Sequence, residues 1–337
     1  MSKSRITWTD EVWNPVTGCT KVSQGCKNCY AEREWPRMTR LVPAYAGRAF
    51  SDVRTHPDRL DKPLHWKRPR RIFVNSMSDL FHESVPDEFI DQVFAVMALA
   101  PQHTFQILTK RAGRMREYLS HPSARVRIGL AAMAMCLDAA VETNGRSDLG
   151  TGVALKATDI NPGGLNVWPL LNVWLGVSAE NQPEFDARVV ELLKTPAAVH
   201  WVSIEPLLGP INSRRIQHPN YSISVDALGG IDPRPSVDAA TLNWVVVGGE
   251  SGPNARPMHP QWARDLRDQC AAAGVPFLFK QWGEFLPAGQ VDNNGDEWTP
   301  AGTRQTKVVD DGFRPIGKKR AGRLLDGVLH DAYPEVK

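Results

Sequence analysis

The sequence predicts a mixed α/β fold of repeated βα units built on a parallel sheet, and three observations carry that expectation. Apolar runs of strand length alternate with helix-periodic segments along most of the chain. The apolar runs end in polar residues one after another, as they do where loops converge at the C-terminal edge of a parallel sheet. With 337 residues, the chain is long enough for one decorated barrel or for two domains.

The strand expectations, in order, are Ile6 to Trp13, Arg71 to Asn75, Thr104 to Leu108, Val173 to Val177, Val199 to Ile204, Trp244 to Val247 and Pro276 to Phe279. Between them, Ser84 and Pro86 precede Phe89, Val93, Phe94 and Met97, which recur at helical spacing. Asn181 and Pro183 likewise precede Phe185, Val189, Leu192 and Leu193. A third helix is expected from about Pro260 to Gly274, with Trp262, Leu266 and Cys270 four apart on one face. That spacing makes Cys270 a core residue, and Cys136, three after Met133 in an alanine-rich helical stretch, is read the same way.

Two insertions break the rhythm. The first, at about 120–169, begins helically and passes into a stretch rich in Gly, Asn and Asp; the second, at about 212–242, is rich in Pro, Ser and Asn. Loops this long in compact domains are often lids or binding elements. The expected organisation is a barrel over 1–285 with these two insertions, and a C-terminal extension over 286–337.

Composition excludes some classes. Hydrophobic residues at 42% and charged residues at 23% are those of an ordinary globular protein, not a disordered one. A net charge of +3 does not by itself argue for nucleic acid. Local clusters are more telling: Lys62, His65, Lys67, Arg68, Arg70 and Arg71 surround Trp66, and Lys318, Lys319, Arg320 and Arg323 form a second group. Each suits phosphate contact or a solvated face. Five cysteines do not make a disulfide scaffold, and MSKSRITWTD lacks the apolar core of a signal peptide, so a reducing cytoplasm is expected. The most apolar run, IGLAAMAMCL, is too short to span a bilayer, so no membrane partner is expected.

The densest chemistry lies in CTKVSQGCKNCYAE, where Cys19, Cys26 and Cys29 offer three thiolates. A cluster with three protein ligands keeps one iron free for a substrate or cofactor. Cys19-x6-Cys26-x2-Cys29 resembles the cluster loop of radical SAM enzymes. The longer set ITWTDEVWNPVTGCTKVSQGCKNCYAE, NVWLGVSAEN, WVSIEPLLGP, WVVVGGESGPNARPMHP and PFLFKQWGEF is similar to a phage- and prophage-borne branch of that superfamily. The chain departs from the commonest spacing, in which three residues separate the first two cysteines, and carries the two insertions.

This resemblance implies a partial TIM-type (β/α) barrel of the radical SAM kind with helical and loop insertions. It implies a 4Fe-4S cluster on Cys19, Cys26 and Cys29 whose open iron binds S-adenosyl-L-methionine, and cleavage of that cofactor to a 5′-deoxyadenosyl radical. By position, Asn75, Ser76, Ser78 and Asp79 resemble the amino-group site. Ser178, Glu180, Ser203 and Glu205 are candidates for ribose or carboxylate contacts, Gly248 and Gly249 for a Gly-rich strand edge, and Tyr30 for packing on adenine. Lys110, Glu205, Glu250 and Lys280 are candidate substrate or proton-transfer positions. The expected partners are a nucleoside or DNA substrate and an electron donor such as flavodoxin or ferredoxin.

Two other classes fit some of the same residues. Cys26-x2-Cys29 with Cys19 and a distant His56 or His65 would make a structural zinc site in a nucleic-acid-binding protein. A barrel hydrolase or lyase would use His82 and His259 as general bases.

Overall fold

The computed structural model describes residues 6–142, 160–161, 164–217, 224–229, 240–299 and 312–335. Most of both insertions' loop stretches and residues 300–311 of the C-terminal extension therefore lie outside the described residues. The chain divides into two compact units. The first holds residues 1–20, 34–176 and 195–198, and the second 21–33, 177–194 and 199–337. The fold is mixed α/β with parallel strands, seven of which are numbered here with the helices between them.

In the first unit, β1 (Glu11–Trp13), β2 (Arg71–Val74), β3 (Thr104–Thr109) and the start of β4 (Val173–Ala179) are neighbours in chain order. β1 pairs with β2 in parallel, Val12 opposite Phe73, and β2 with β3, Ile72 opposite Phe105. The first strand is shorter than its sequence suggests because Thr9 N–H bonds back to the Ile6 carbonyl, closing a turn, and the Thr9 hydroxyl is hydrogen-bonded to the carbonyls of Glu11 and Arg71. β2 stops one residue early, since Asn75 leaves the strand at φ 62°.

Helix α1 (Tyr30–Leu41) bridges the boundary in sequence, and α2 (Asp87–Leu99), α3 (Ala112–Ser120) and α4 (Ala124–Glu142) complete the first unit. Pro86 stands at the N-cap of α2, and Asp87 and Glu88 in its first turn complement the helix dipole. Phe89, Val93, Phe94 and Met97 are buried, as their spacing predicts. On α4, Ala124, Ile128 and Ala132 turn inward, while Met133 is exposed and Cys136 only half-buried. Cys136 is thus not the core residue expected: it lies one turn beyond the last fully buried position of that face.

In the second unit, the end of β4 is followed by β5 (Val199–Ile204), β6 (Trp244–Gly248) and β7 (Phe277–Gln281), again neighbours in chain order. Trp244 lies opposite Trp201 and Val246 opposite Leu278, with a register shift between Val247 and Gly248. All residues of β5 and β6 are buried, as in parallel strands covered on both faces.

α5 (Gln182–Leu193) begins at Asn181, whose side chain accepts the Glu184 N–H, with Pro183 in the first turn. α6 (Pro260–Ala273) ends at Gly274 in the left-handed conformation, φ 67°, and the Val275 N–H returns to the Cys270 carbonyl. Cys270 is fully buried on α6, and burial pushes its thiol up to about 12. No helix among the described residues is long and apolar enough to cross a membrane.

Candidate functional site

In the first unit, the residues after β2 hold the chain that leads to Cys19. Asn75 Oδ1 accepts the Val16 N–H at 3.2 Å, the Ser76 hydroxyl meets Asn14 Oδ1 at 3.2 Å, and the Ser78 hydroxyl donates to the Val16 carbonyl at 2.8 Å. Gly18, at φ 89°, packs so closely on the Phe50 and Asp52 carbonyls that a Cβ would lie 2.5 Å from the latter. The Cys19 N–H donates to the Phe50 carbonyl at 2.9 Å.

Asp79 is the hub of this edge. Its Oδ1 accepts from the Thr109 hydroxyl at 2.7 Å, and its Oδ2 from the Lys110 N–H at 3.1 Å and Arg111 Nη1 at 3.2 Å. Arg111, itself buried, also forks onto Glu83 and reaches Thr20 Oγ1 at 2.9 Å. Its Nη1 lies 3.7 Å from Cys19 Sγ. Burial alone would lower the Arg111 pKa, but Asp79, Glu83 and Cys19 hold it above the usual arginine value. Of Lys110, only the backbone N–H is fixed by these bonds.

In the second unit, the ends of β4 and β6 hold the other two cysteines. Glu180, fully buried, accepts the Gly25 N–H on Oε1 at 2.9 Å and Arg188 Nη1 on Oε2 at 3.1 Å. A Cβ at Gly25 would stand 2.9 Å from that carboxylate, so only glycine lets the loop close on it. Glu250 receives Arg256 on both oxygens, at 2.7 and 2.9 Å, and Asn28 Nδ2 at 3.1 Å. Arg256 also donates to the Gln24 carbonyl at 3.1 Å. Burial raises the Glu250 pKa, but hydrogen bonds from Arg256 and Asn28 outweigh it and keep the group below the usual carboxylate range.

Beside these, Lys280 Nζ pairs with Glu205 Oε2 at 2.6 Å, and Gln281 Nε2 donates to Glu205 Oε1 at 2.9 Å. Both partners of this ion pair keep some solvent exposure, 14% and 19% of their side chains. Gly248 packs on Glu205, and a Cβ at Gly249 would lie 1.9 Å from the Trp282 carbonyl. Ser178 and Ser203 are buried on β4 and β5, and the Ser178 carbonyl accepts from Arg188 at 2.7 Å. Tyr30, which opens α1, is 46% exposed.

The structure thus brings Glu180 and Glu250 to one loop, and Glu205, Lys280 and Gly248 together at neighbouring strand ends. Asn75, Ser76 and Ser78 are engaged in holding the segment that leads to Cys19, and Asp79 in holding Thr109, Lys110 and Arg111. Sequence reasoning passed over Arg188, Arg256 and Asn28. Arg188 had a signal, since it lies three residues after Phe185 and four before Leu192, on the apolar face of the helix; Arg256 lies within the GGESGPNARPMHP segment.

The donor set suits an iron-sulfur centre in kind. Cys19, Cys26 and Cys29 form no disulfide and are half-buried, and all have cationic neighbours: Arg111 for Cys19, and Lys21, paired with Glu32 at 2.9 Å, for Cys26 and Cys29. Among the described residues, no three His, Cys, Asp or Glu side chains converge as a ready metal-ligand group.

The histidines have other engagements. His56 is buried against Thr17 Oγ1 at 2.7 Å, and burial, then Arg59, lowers it to about 4. His65 pairs with Asp61 at 2.8 Å. His82 meets Thr20 Oγ1 at 2.9 Å and accepts the Ser84 N–H, while His259 caps α6 by accepting the Gln261 N–H.

Fold and site define a parallel-stranded α/β protein in which polar strand-end residues hold the chain at Cys19 in the first unit and the Cys26–Cys29 segment in the second. A family model described as "Protein of unknown function (DUF5131)" matches residues 3–334, and the chain belongs to that family. No curated protein and no solved structure gives a match.

Proposed function

We propose that this chain is a radical SAM enzyme with a partial (β/α) barrel of that kind, acting on a nucleobase, nucleoside or DNA component. The observation that carries the reading is the cysteine loop. Three cysteines outside any disulfide lie within eleven residues of sequence, and Glu180, Glu250 and Arg256 fasten the 24–28 segment from the C-terminal ends of β4 and β6. Parallel strands in chain order in each unit support the barrel assignment.

Cys19, Cys26 and Cys29 would hold a 4Fe-4S cluster. With S-adenosyl-L-methionine and one electron from a donor such as flavodoxin or ferredoxin, that group supplies cleavage of the sulfonium C–S bond to methionine and a 5′-deoxyadenosyl radical. Arg111 keeps the Cys19 sulfur oriented, and Glu180 and Glu250 keep the Cys26–Cys29 turn in place. Glu205 and Lys280, paired yet partly exposed, are the strand-end groups open to a substrate or its proton. Ser178, Ser203 and Gly249 shape the surrounding backbone.

The test is anaerobic reconstitution with iron and sulfide, followed by assay of 5′-deoxyadenosine release under dithionite, with Cys26→Ala as control. Brown colour and release that both depend on Cys26 support the enzyme. A colourless protein holding about one zinc would overturn it and leave a zinc-stabilised nucleic-acid-binding protein as the better account.

A further inference from the structure

In the first unit, the segment that enters β2 is a fixed platform for positive charge. Lys62–His65 forms a turn of 3-10 helix in which Pro63 and Leu64 are buried. The Leu64 N–H donates to the Asp61 carbonyl at 2.9 Å, and the Trp66 N–H to the Pro63 carbonyl at 3.2 Å. Just before β3, His103 Nε2 donates to that same Pro63 carbonyl at 3.1 Å, and Gln102 Nε2 to the Trp66 carbonyl at 3.5 Å. Trp66 is half-buried, with the Arg70 guanidinium 5.2 Å from the centre of its ring. Pro69 fixes one more backbone torsion between Arg68 and Arg70.

The carboxylates bonded to this segment are already matched. Glu11 takes Arg70, Asp10 takes Arg71 at 3.4 Å, and Asp61 takes His65 at 2.8 Å. Lys62, Lys67 and Arg68 are left over: all three are exposed, and among the described residues their side chains make no hydrogen bond or ion pair. Side chains three apart in a 3-10 turn eclipse, which sets Lys62 over His65, and Lys67 and Arg68 follow Trp66 directly. Three cations without a counter-charge thus fall within seven residues of chain. Their backbone is ordered in advance, so meeting a polyanion costs little further ordering.

We propose that Lys62, Lys67 and Arg68, with the ring of Trp66, form a docking surface for the phosphodiester backbone of DNA, single-stranded or duplex. The proposal rests on the reading of the substrate as a DNA component and narrows it to a polymer. The ammonium groups supply point charges, the guanidinium adds directed N–H donors, and an aromatic ring gives an unpaired base a face to stack on. The surface lies at the entry to β2, whereas Asn75, which holds the chain leading to Cys19, follows the end of that strand. Contacts of this kind position a nucleic acid without reading its sequence.

The test titrates the full chain as purified with thymidine 5′-monophosphate, a single-stranded thymidine oligonucleotide, a DNA duplex of the same length and a flavodoxin, over a series of salt concentrations. The proteins are wild type, Lys67→Ala/Arg68→Ala and the charge-matched Lys318→Ala/Lys319→Ala, each shown to be folded by circular dichroism. A DNA probe should bind wild type at least about tenfold more tightly than the monophosphate, and Lys67→Ala/Arg68→Ala alone should lose that advantage. For the single strand, the slope of log affinity against log salt should become shallower by about 1.4 in that variant, the share of two phosphate contacts. Dependence on Lys67 and Arg68 with the single strand, the duplex or both identifies the form that docks, and each supports the surface.

Absence of a polymer advantage overturns it, as does DNA binding that Lys67→Ala/Arg68→Ala leaves unchanged. Equal loss in the two double variants would mean diffuse surface attraction and overturns it too. A loss confined to flavodoxin would make the segment a surface for an acidic protein instead, which also overturns it. The titration needs neither cluster nor turnover, so its failure is distinct from failure of 5′-deoxyadenosine release.

Discussion

Glu180 joins Gly25 to Arg188: one carboxylate oxygen accepts the Gly25 N–H at 2.9 Å while the other takes the Arg188 guanidinium at 3.1 Å. The Glu180 and Arg188 side chains are only 1% and 7% exposed, so the cysteine loop leans on a charge pair withdrawn from water. Breaking such a pair leaves a buried charge alone. Glu180→Ala is expected to cost about 3–5 kcal/mol, read as a lowered urea midpoint. Glu180→Leu combined with Arg188→Met should recover part of the loss, and a wild-type midpoint in Glu180→Ala would refute the coupling.

Glu250 fastens the same loop through Asn28 and Arg256. Removing its acceptor deletes charge-assisted bonds worth about 1.5–3 kcal/mol each. In Glu250→Ala the apo protein should react with a thiol reagent roughly tenfold faster at Cys26 and Cys29, with Glu250→Gln falling between. Equal rates in all three proteins would show that the loop is held by other means.

Arg111 is expected to resist conservative replacement. A lysine cannot reproduce a fork that reaches Asp79, Glu83 and Thr20 at once. Arg111→Lys should lower stability by about 1–3 kcal/mol. It should also shift the reduction potential of the reconstituted centre, because the 3.7 Å contact to Cys19 Sγ is changed. A denaturation midpoint and a potential both equal to wild type would assign Arg111 no role at this edge.

His56 gives the fold a measurable response to acid. Its folded pKa, about 4, lies below the ordinary 6.5, so between those values the unfolded chain binds the proton and the folded chain does not. Its contribution is therefore complete above pH 6.5 and is lost as the pH falls toward 4. Urea midpoints taken across that window should decline with acidification, and His56→Gln should flatten the slope; an identical slope in the variant would exclude His56 as the source.

Much of the framework could be read before the structure, because period and punctuation agree locally. Phe185, Val189 and Leu192 recur behind an Asn181 cap, and Gly274 stops α6 where it must enter the left-handed region. The opening strand is shorter than its apolar pattern because the Thr9 N–H closes a turn onto the Ile6 carbonyl, which no hydrophobic pattern reports. The partners of the strand-end carboxylates were also hidden. Position after a strand brings Glu180 and Glu250 to an edge, but which arginine meets each depends on how helix and loop return: Arg188 comes eight residues later and Arg256 six. Asn28 is 222 residues from Glu250, a pairing that only the folded chain makes.

The 1.9 Å separation between a would-be Cβ at Gly249 and the Trp282 carbonyl sets a limit on how this protein can diversify. An exposed side chain such as that of Lys318 can be exchanged without disturbing the backbone. At position 249 the main chains of two adjoining segments occupy the space in which every other amino acid begins. Relatives should therefore vary at such exposed positions while keeping glycine at this place, so that drift in sequence proceeds around a fixed point.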